Sequence, residues 1–423
     1  MGAKIQSVTA REILAQRGLL SLEVTVLTDD GARGVSTPES GVSTGGHEAR
    51  FLLDGGERYN GLGVRKASAM VNDAIGPALR GMDVTHQREI DQQMIELDGT
   101  PDKARLGANA IVGVSLAVLK AAANSSSLPL YGYIGGPAAC TVPIPIYGIG
   151  AGGRYRDPGT SRWFKPSYEF AAYGAGSYAN AVYMSWRCAE EVKKLLRKAY
   201  PHNYTPAYHS TTLAGVIGSD RELLEIMSES IVRFGYEGKV GIYFDCAADC
   251  YYEKDIDRYV GLFSAGEKTR DDVIKLLLDF VETYPILSLE DPLHENDFAG
   301  HAMATKELGI EIVGDDLFTT NAARLEQGIA AGAANSMVLK ITQVGTVSEA
   351  LTACRMALAN GYNVHPCGSR GDQDSIGDFA VGLNAGQVRA ESRNRLLTIE
   401  EDLGSAALWP GKAAHKGWRN RQG

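Results

Sequence analysis

Ile286-Leu-Ser-Leu-Glu290, Ile310-Glu-Ile-Val-Gly-Asp315, Met337-Val-Leu-Lys340 and Tyr362-Asn-Val-His365 are four short apolar runs, each ending on a charged or basic residue. The four end residues stand twenty-five positions apart, and a fifth run, Gly241-Ile-Tyr-Phe-Asp245, precedes them. Short β-rich runs separated by helical stretches of this length read as repeated βα units. In a parallel barrel the C-terminal strand ends converge on one face, where active sites are built. Asp245, Glu290 and Asp315 would then meet at one rim with Lys340 beside them. Three acids held that close repel one another, and a divalent cation is the simplest way to keep all three ionised. Hard oxygen ligands of this kind suit Mg²⁺, with Lys340 as a base next to the metal.

Around this core the chain has 423 residues, too many for one ordinary hydrophobic core, so two domains are expected. We place an α+β domain at 1–137 and a barrel at 138–423, because Gly-Gly-Pro interrupts the pattern between Tyr131 and Val142. A hydrophobic content of 44%, a charged content of 22% and a net charge of −9 describe a globular protein without a nucleic-acid footprint. No apolar run or signal-like leader points to a membrane, and six scattered cysteines without a C-x-x-C pair fit reduced thiols in the cytoplasm. A strand is expected over 20–27 and a Gly/Ser/Thr-rich loop over 36–46. Helices are expected over 65–80, 85–97, 107–123, 176–199 and 219–234, the third apolar nearly all round and therefore buried. Gly148–Gly159 reads as an active-site loop.

The chain resembles the enolase family along nearly its whole length. The resemblance rests on Ala10-Arg-Glu-Ile-Leu14, Ser40-Gly-Val-Ser-Thr-Gly45, Gly107-Ala-Asn-Ala-Ile111, Ser288-Leu-Glu-Asp-Pro292, Val313-Gly-Asp-Asp-Leu317 and Leu339-Lys-Ile-Thr-Gln-Val-Gly345. It implies an α/β fold, a modified (βα)8 barrel preceded by a smaller α+β capping domain, in a homodimer. It also implies that Asp245, Glu290 and Asp315 hold one or two Mg²⁺. Lys340 would remove the proton α to a substrate carboxylate, and Ser40 would sit in a loop closing over that substrate.

The departures from the family pattern gather at the site. By the resemblance, a glutamate serving as general acid is replaced by Ser210 within Tyr208-His-Ser-Thr-Thr212, and a second glutamate by Ser167, with Glu169 two residues on. A histidine becomes Tyr155, a phosphate-side arginine becomes Cys367, and a second lysine becomes Arg389. Serine cannot protonate a leaving group as a carboxylic acid can. His209 and His365 are the candidate replacement acids, since histidine titrates near neutrality. Arg389 can grip a carboxylate through two parallel hydrogen bonds, and Arg370, with Arg154 and Arg156, can cradle an anion. Cys367 is a candidate nucleophile.

These features point to a Mg²⁺-dependent lyase acting on a small anionic carboxylate, phosphorylated or phosphonate-bearing, related to 2-phosphoglycerate. A specialised pathway is the expected setting, for example a carboxyphosphonoenolpyruvate synthase-like step of phosphonate natural-product biosynthesis. The alternatives are a divergent phosphopyruvate hydratase, converting 2-phosphoglycerate to phosphoenolpyruvate, and a non-catalytic binding protein of the same fold.

Overall fold

A computed structural model describes residues 2–15, 20–41, 45–151, 165–202, 211–212, 216–371, 373–389 and 394–417. The chain opens with a three-stranded antiparallel sheet, β1 (Ile5–Leu14), β2 (Leu20–Thr28) and β3 (Arg33–Ser36). A helical run over 65–79 follows, then α1 (Gln87–Asp98) and α2 (Ala108–Ser125). β2, the helical run, α1 and α2 lie within one or two residues of where the sequence pattern puts them, whereas β1 and β3 carry no such expectation.

The location of α2 explains its composition. Ile111, Val114, Ala117, Val118 and Ala121 pack into the core behind the first sheet, while Val112, Leu116 and Leu119 belong to the barrel's core. A helix with a core on each side has no face left for polar residues. Of the described helices only this one is long and apolar enough to cross a membrane, and it is buried inside the protein. Glycine is required where β3 crosses it, because a Cβ on Gly34 would fall 1.9 Å from the Ala117 carbonyl oxygen.

The barrel strands are β4 (Ile144–Ala151), β5 (Ser167–Ala171), β6 (Gly241–Asp245), β7 (Ile286–Glu290), β8 (Glu311–Gly314), β9 (Ser336–Leu339), β10 (Asn363–Pro366) and β11 (Gln387–Val388). Their order around the sheet is β10-β9-β8-β7-β6-β5-β4-β11. Arg389 N donates to Pro366 O at 3.0 Å and Gly368 N to Arg389 O at 2.7 Å, which brings the two ends of that path together. β5 is antiparallel to both neighbours, whereas β6 to β10 are parallel. This inverted strand is what makes the barrel a modified one. Between the strands lie α3 (Tyr178–Ala199), α4 (Asp220–Arg233), α5 (Arg270–Thr283), α6 (Phe298–Leu308), α7 (Ala322–Ala331), α8 (Val347–Ala359) and α9 (Gln373–Gly382). A reciprocal cap between Thr269 and Asp272 starts α5.

The expected loop over 148–159 needs correcting. Residues 148–151 complete β4 and pair with β5, so they are strand, and 152–159 lie outside the described residues. Ile144 and Ile146 alternate ahead of them, and the strand continues through Gly148 and Gly150 with an irregularity in register between the two.

Two sets of contacts fix the ends of the barrel. At the strand C-termini the first sheet's loop docks on the rim: Glu39 N donates to Arg370 O at 2.8 Å, Ala49 N donates to Gln343 O at 2.8 Å, and Glu48 takes both ends of the Arg370 guanidinium. At the opposite end Glu311, fully buried, accepts from Ser288 Oγ at 2.6 Å, Asn363 Nδ2 at 2.5 Å and Gln387 Nε2 at 2.8 Å, with His415 Nδ1 at 3.4 Å. Burial alone would push this carboxyl up, but His415, Ser288 and Gln387 together reverse that and hold it at about 2.

A folded-state pKa below the free-chain value stabilises above the free-chain pKa, and that stability is lost as pH falls through the folded one. Glu311 therefore contributes fully above about pH 4.5 and loses its contribution on the way to about pH 2. Glu311→Ala leaves several buried donors unpaired and should cost about 3 kcal/mol or more at pH 7. Urea unfolding at pH 7 and pH 3 measures both effects, and the gap between parent and variant should narrow at the lower pH.

Candidate active site

Asp245 and Glu290 are the last residues of β6 and β7 and are directly paired by register, and Asp315 follows β8. Lys340 follows β9 on the next strand. All four are buried, so the sequence lattice converges on one rim as the parallel ladder requires.

Lys340 Nζ is ion-paired with Asp315 Oδ2, and Gln343 Nε2 donates to Asp315 Oδ1 at 2.8 Å. Burial pulls the Lys340 ammonium down, but the attraction of Asp315 and other neighbours outweighs it and holds the group above the ordinary lysine range. Burial likewise pushes Asp315 up, and Lys340 reverses this, leaving Asp315 well below the ordinary carboxylate range. Glu290 Oε2 accepts from Tyr243 OH at 2.5 Å.

The carboxylates grouped closely enough to share a cation differ by one from the expected trio. Glu290, Asp291 and Asp315 each bring an oxygen within 4.8 Å of the others. Asp245 reaches the same rim, but its Oδ2 is ion-paired with Lys165 Nζ and lies 3.1 Å from Arg389 Nη1. Asp291 also caps the turn that carries Asp315, accepting from Asp315 N at 3.0 Å and Asp316 N at 2.7 Å. Burial and then the charges of Asp316, Asp315 and Glu290 drive Asp291 well above the ordinary range. Burial and Asp315 push Asp316 up to about 7. So much mutual repulsion among buried acids fits a site built for a divalent cation.

Arg389 lies among the acids. Its Nη1 is 3.3 Å from Glu290 Oε2, and its Nη2 donates to Ser167 Oγ at 2.9 Å and to Glu169 Oε1. Ser40 lies in the stretch held on the rim by its neighbour Glu39.

Three expectations change. His365 is 1% exposed, neither ring nitrogen has a hydrogen-bond partner among the described residues, and the ring stands edge-on to Tyr243 at 5.1 Å. Burial holds it neutral down to about 3, so it is not an acid titrating near neutrality. Arg370 is buried against Glu48 rather than open to an anion. Cys367 is 3% exposed, with Sγ 3.4 Å from Ser369 Oγ, and borders a cavity of about 20 Å³ with Lys340 and Arg370. At 3% exposure the thiol is buried, not the accessible, thiolate-prone group that a nucleophile needs. Tyr155, His209, Ser210, Arg154 and Arg156 lie outside the described residues.

Lys165, Asp291 and Gln343 were not singled out as site residues. Asp291 and Gln343 stand beside residues that were, within Ser288-Leu-Glu-Asp-Pro292 and Lys340-Ile-Thr-Gln343, whereas Lys165 precedes a strand with no pattern to mark it.

Comparison with known proteins gives the same picture. Residues 5–134 match the family model "Enolase, N-terminal domain", and residues 139–417 match "Enolase, C-terminal TIM barrel domain". The chain is 42% identical to an enolase of Methanopyrus kandleri, covering 96% of this chain and 97% of that protein. It is also 42% identical to an enolase of Thermococcus gammatolerans, covering 97% of each, and 41% identical to one of Methanocaldococcus jannaschii, covering 95% and 96%. With two family models covering the barrel and the sheet before it, and this identity sustained from end to end, the chain belongs to the enolase family of Mg²⁺-dependent carbon–oxygen lyases.

Proposed function

We propose that this enzyme dehydrates 2-phosphoglycerate to phosphoenolpyruvate, with residues 1–137 as a cap and 138–423 as the catalytic barrel. The observation that carries the reading is the buried contact between Lys340 Nζ and Asp315 Oδ2 beside Glu290 and Asp291. The three relatives compared above span nearly the whole chain and are named enolase, which favours this reaction over a specialised pathway.

Asp315, Glu290 and Asp291 or Asp245 would hold Mg²⁺. When bound, the ion neutralises charge that develops on the substrate carboxylate as its α-proton leaves. Lys340 takes that proton. As long as Asp315 faces it alone, Lys340 stays an ammonium; once the charge of Asp315 is shared, burial favours the neutral amine that the reaction needs. Gln343 and the backbone turn capped by Asp291 keep Asp315 aimed at Lys340. The docked loop at Ala49 covers Gln343 and shields this rim from water. His209 remains the sequence candidate for protonating the departing hydroxide. None of the six cysteines forms a disulfide, which supports a cytoplasmic setting, and a homodimer is the assembly that the family suggests.

A second reading is favoured by Cys367 and Arg370. By the resemblance Cys367 stands where the family has a phosphate-side arginine; the thiol is buried, and the nearby Arg370 is held by Glu48. That favours an acid related to 2-phosphoglycerate but carrying a different anionic group, as in a carboxyphosphonoenolpyruvate-type reaction.

Adding 2-phosphoglycerate and Mg²⁺ should raise the ultraviolet absorbance at an ordinary enzymatic rate. No rise, with Mg²⁺ bound and the α-proton still exchanging with solvent, would replace the first reading by the second. Lys340→Ala should slow that exchange by about 10³-fold, within the usual range for removing a general base. Retained exchange would remove Lys340 from the role. Asp315→Asn should weaken Mg²⁺ binding at least about tenfold, read from the melting-temperature rise with added Mg²⁺. His365→Gln should leave the pH–rate profile between pH 6 and 8 in place, since a histidine held neutral to about 3 does not titrate there.

A further inference from the structure

Three side chains of the N-terminal segment meet the start of α8 on the barrel. The first N–H groups of a helix have no partner within it and must find one outside. In α8, Val347 N donates to Ser115 Oγ of α2 at 2.9 Å, and Ser348 N donates to Asp91 Oδ2 of α1 at 2.9 Å. Ser115 Oγ in turn donates to Asp91 Oδ1 at 2.6 Å, and both residues are fully buried. The next N–H, of Glu349, donates to Thr346 Oγ1 at 3.2 Å. The Glu349 carboxylate is held from the N-terminal side as well, because Lys103 Nζ donates to its Oε1 at 2.9 Å. Lys103 is 5% exposed and has a φ of 60°, which residues other than glycine keep only where their surroundings hold them. Its stem lies against Gly345, where an added Cβ would fall 2.5 Å from Lys103 Cδ.

Gly345 joins α8 to a single helical turn, Ile341–Val344, that begins next to Lys340. Gln343 in that turn donates to Asp315, the partner of Lys340. Thr320 Oγ1 donates to Gln343 Oε1 at 2.9 Å and accepts from Lys340 N at 3.0 Å. A turn this short has no stability of its own, so its placement follows that of its two ends. Thr320 ties the beginning to the barrel. The other end is tied through Gly345 and the start of α8, which Lys103, Asp91 and Ser115 hold from the N-terminal segment.

We propose that Lys103 is a positioning residue for the proton transfer. By clamping Glu349 and covering Gly345 it fixes the end of the turn, and so keeps Gln343 on Asp315 and Asp315 facing Lys340. This rests on the reading of Lys340 as the base. The N-terminal segment is then part of the frame that aims the base, in addition to covering the rim.

The test is the exchange of the α-proton of 2-phosphoglycerate with solvent in the presence of Mg²⁺, well below the melting temperature. It compares the full chain with Lys103→Met, Glu349→Gln and the double variant. Lys103→Met keeps most of the stem and removes the ammonium. It should slow exchange at saturating substrate about tenfold with KM unchanged, less than the roughly 10²-fold that a 1 Å misplacement can cost. Glu349→Gln should slow exchange to a similar extent, and the double variant should be no slower than the slower single one, since each change opens the same clamp. Backbone amide hydrogen exchange, followed by mass spectrometry without substrate, should quicken over 341–349 and stay unchanged in β6 to β8. If Lys103→Met does not fold, Glu349→Gln, at a partly exposed residue, carries the comparison. A Lys103→Met protein that melts lower yet exchanges the α-proton at the parent rate would overturn the proposal, as would single effects that multiply in the double variant. A parent chain that does not exchange the α-proton, or a Lys340→Ala variant that still does, would instead overturn the reading of Lys340 and this inference with it.

Discussion

Buried like charge is the constraint around which the rest of the molecule is arranged. Asp245, Glu290, Asp291, Asp315 and Asp316 are all buried along one rim, and no apolar core tolerates such a group unless each acid is answered. The answers come from different parts of the chain. Lys340 arrives from the next strand, Lys165 from just ahead of the inverted one, Arg389 from beyond the last, and backbone N–H groups from the turn after β8. Parallel strand ends are what bring these distant segments to one place. The same field that makes the rim costly as a bare structure makes it selective for a small, doubly charged ion.

The regular half of this arrangement is legible in the sequence because strand periodicity and helix length repeat. Glu290, Asp315 and Lys340 announce themselves by their spacing, and α2 by being apolar on every side. The irregular half is not. Asp291 takes a left-handed backbone conformation so that its carboxylate can cap the turn after the next strand, one βα repeat along the chain, and nothing local marks this. Lys165 reaches Asp245 only because β5 runs against its neighbours, an inversion that no run of residues declares. His365 is the opposite case. Its place at the end of an apolar run was visible, but its burial depends on Tyr243 and on strands closing around it.

The side chains at the mouth are also connected. An arginine at 389 extends past the position at which an ammonium would end, and Ser167 is small enough to accept a hydrogen bond from it while Glu169 receives its inner edge. Changing one of these residues alone would leave either a buried acid unpaired or a buried cation unanswered. They are best understood as one hydrogen-bonded unit.

The network of Glu311, Ser288, Asn363, Gln387 and His415 has a different bearing. It closes the ring at the far end through side chains whose hydrogen bonds run among themselves and to the Ala414 carbonyl. The framework is therefore secured at a distance from the residues that touch a reactant. Over evolutionary time the two ends can change at different rates. A lineage can revise its catalytic mouth through successive substitutions while the protein at every step still folds.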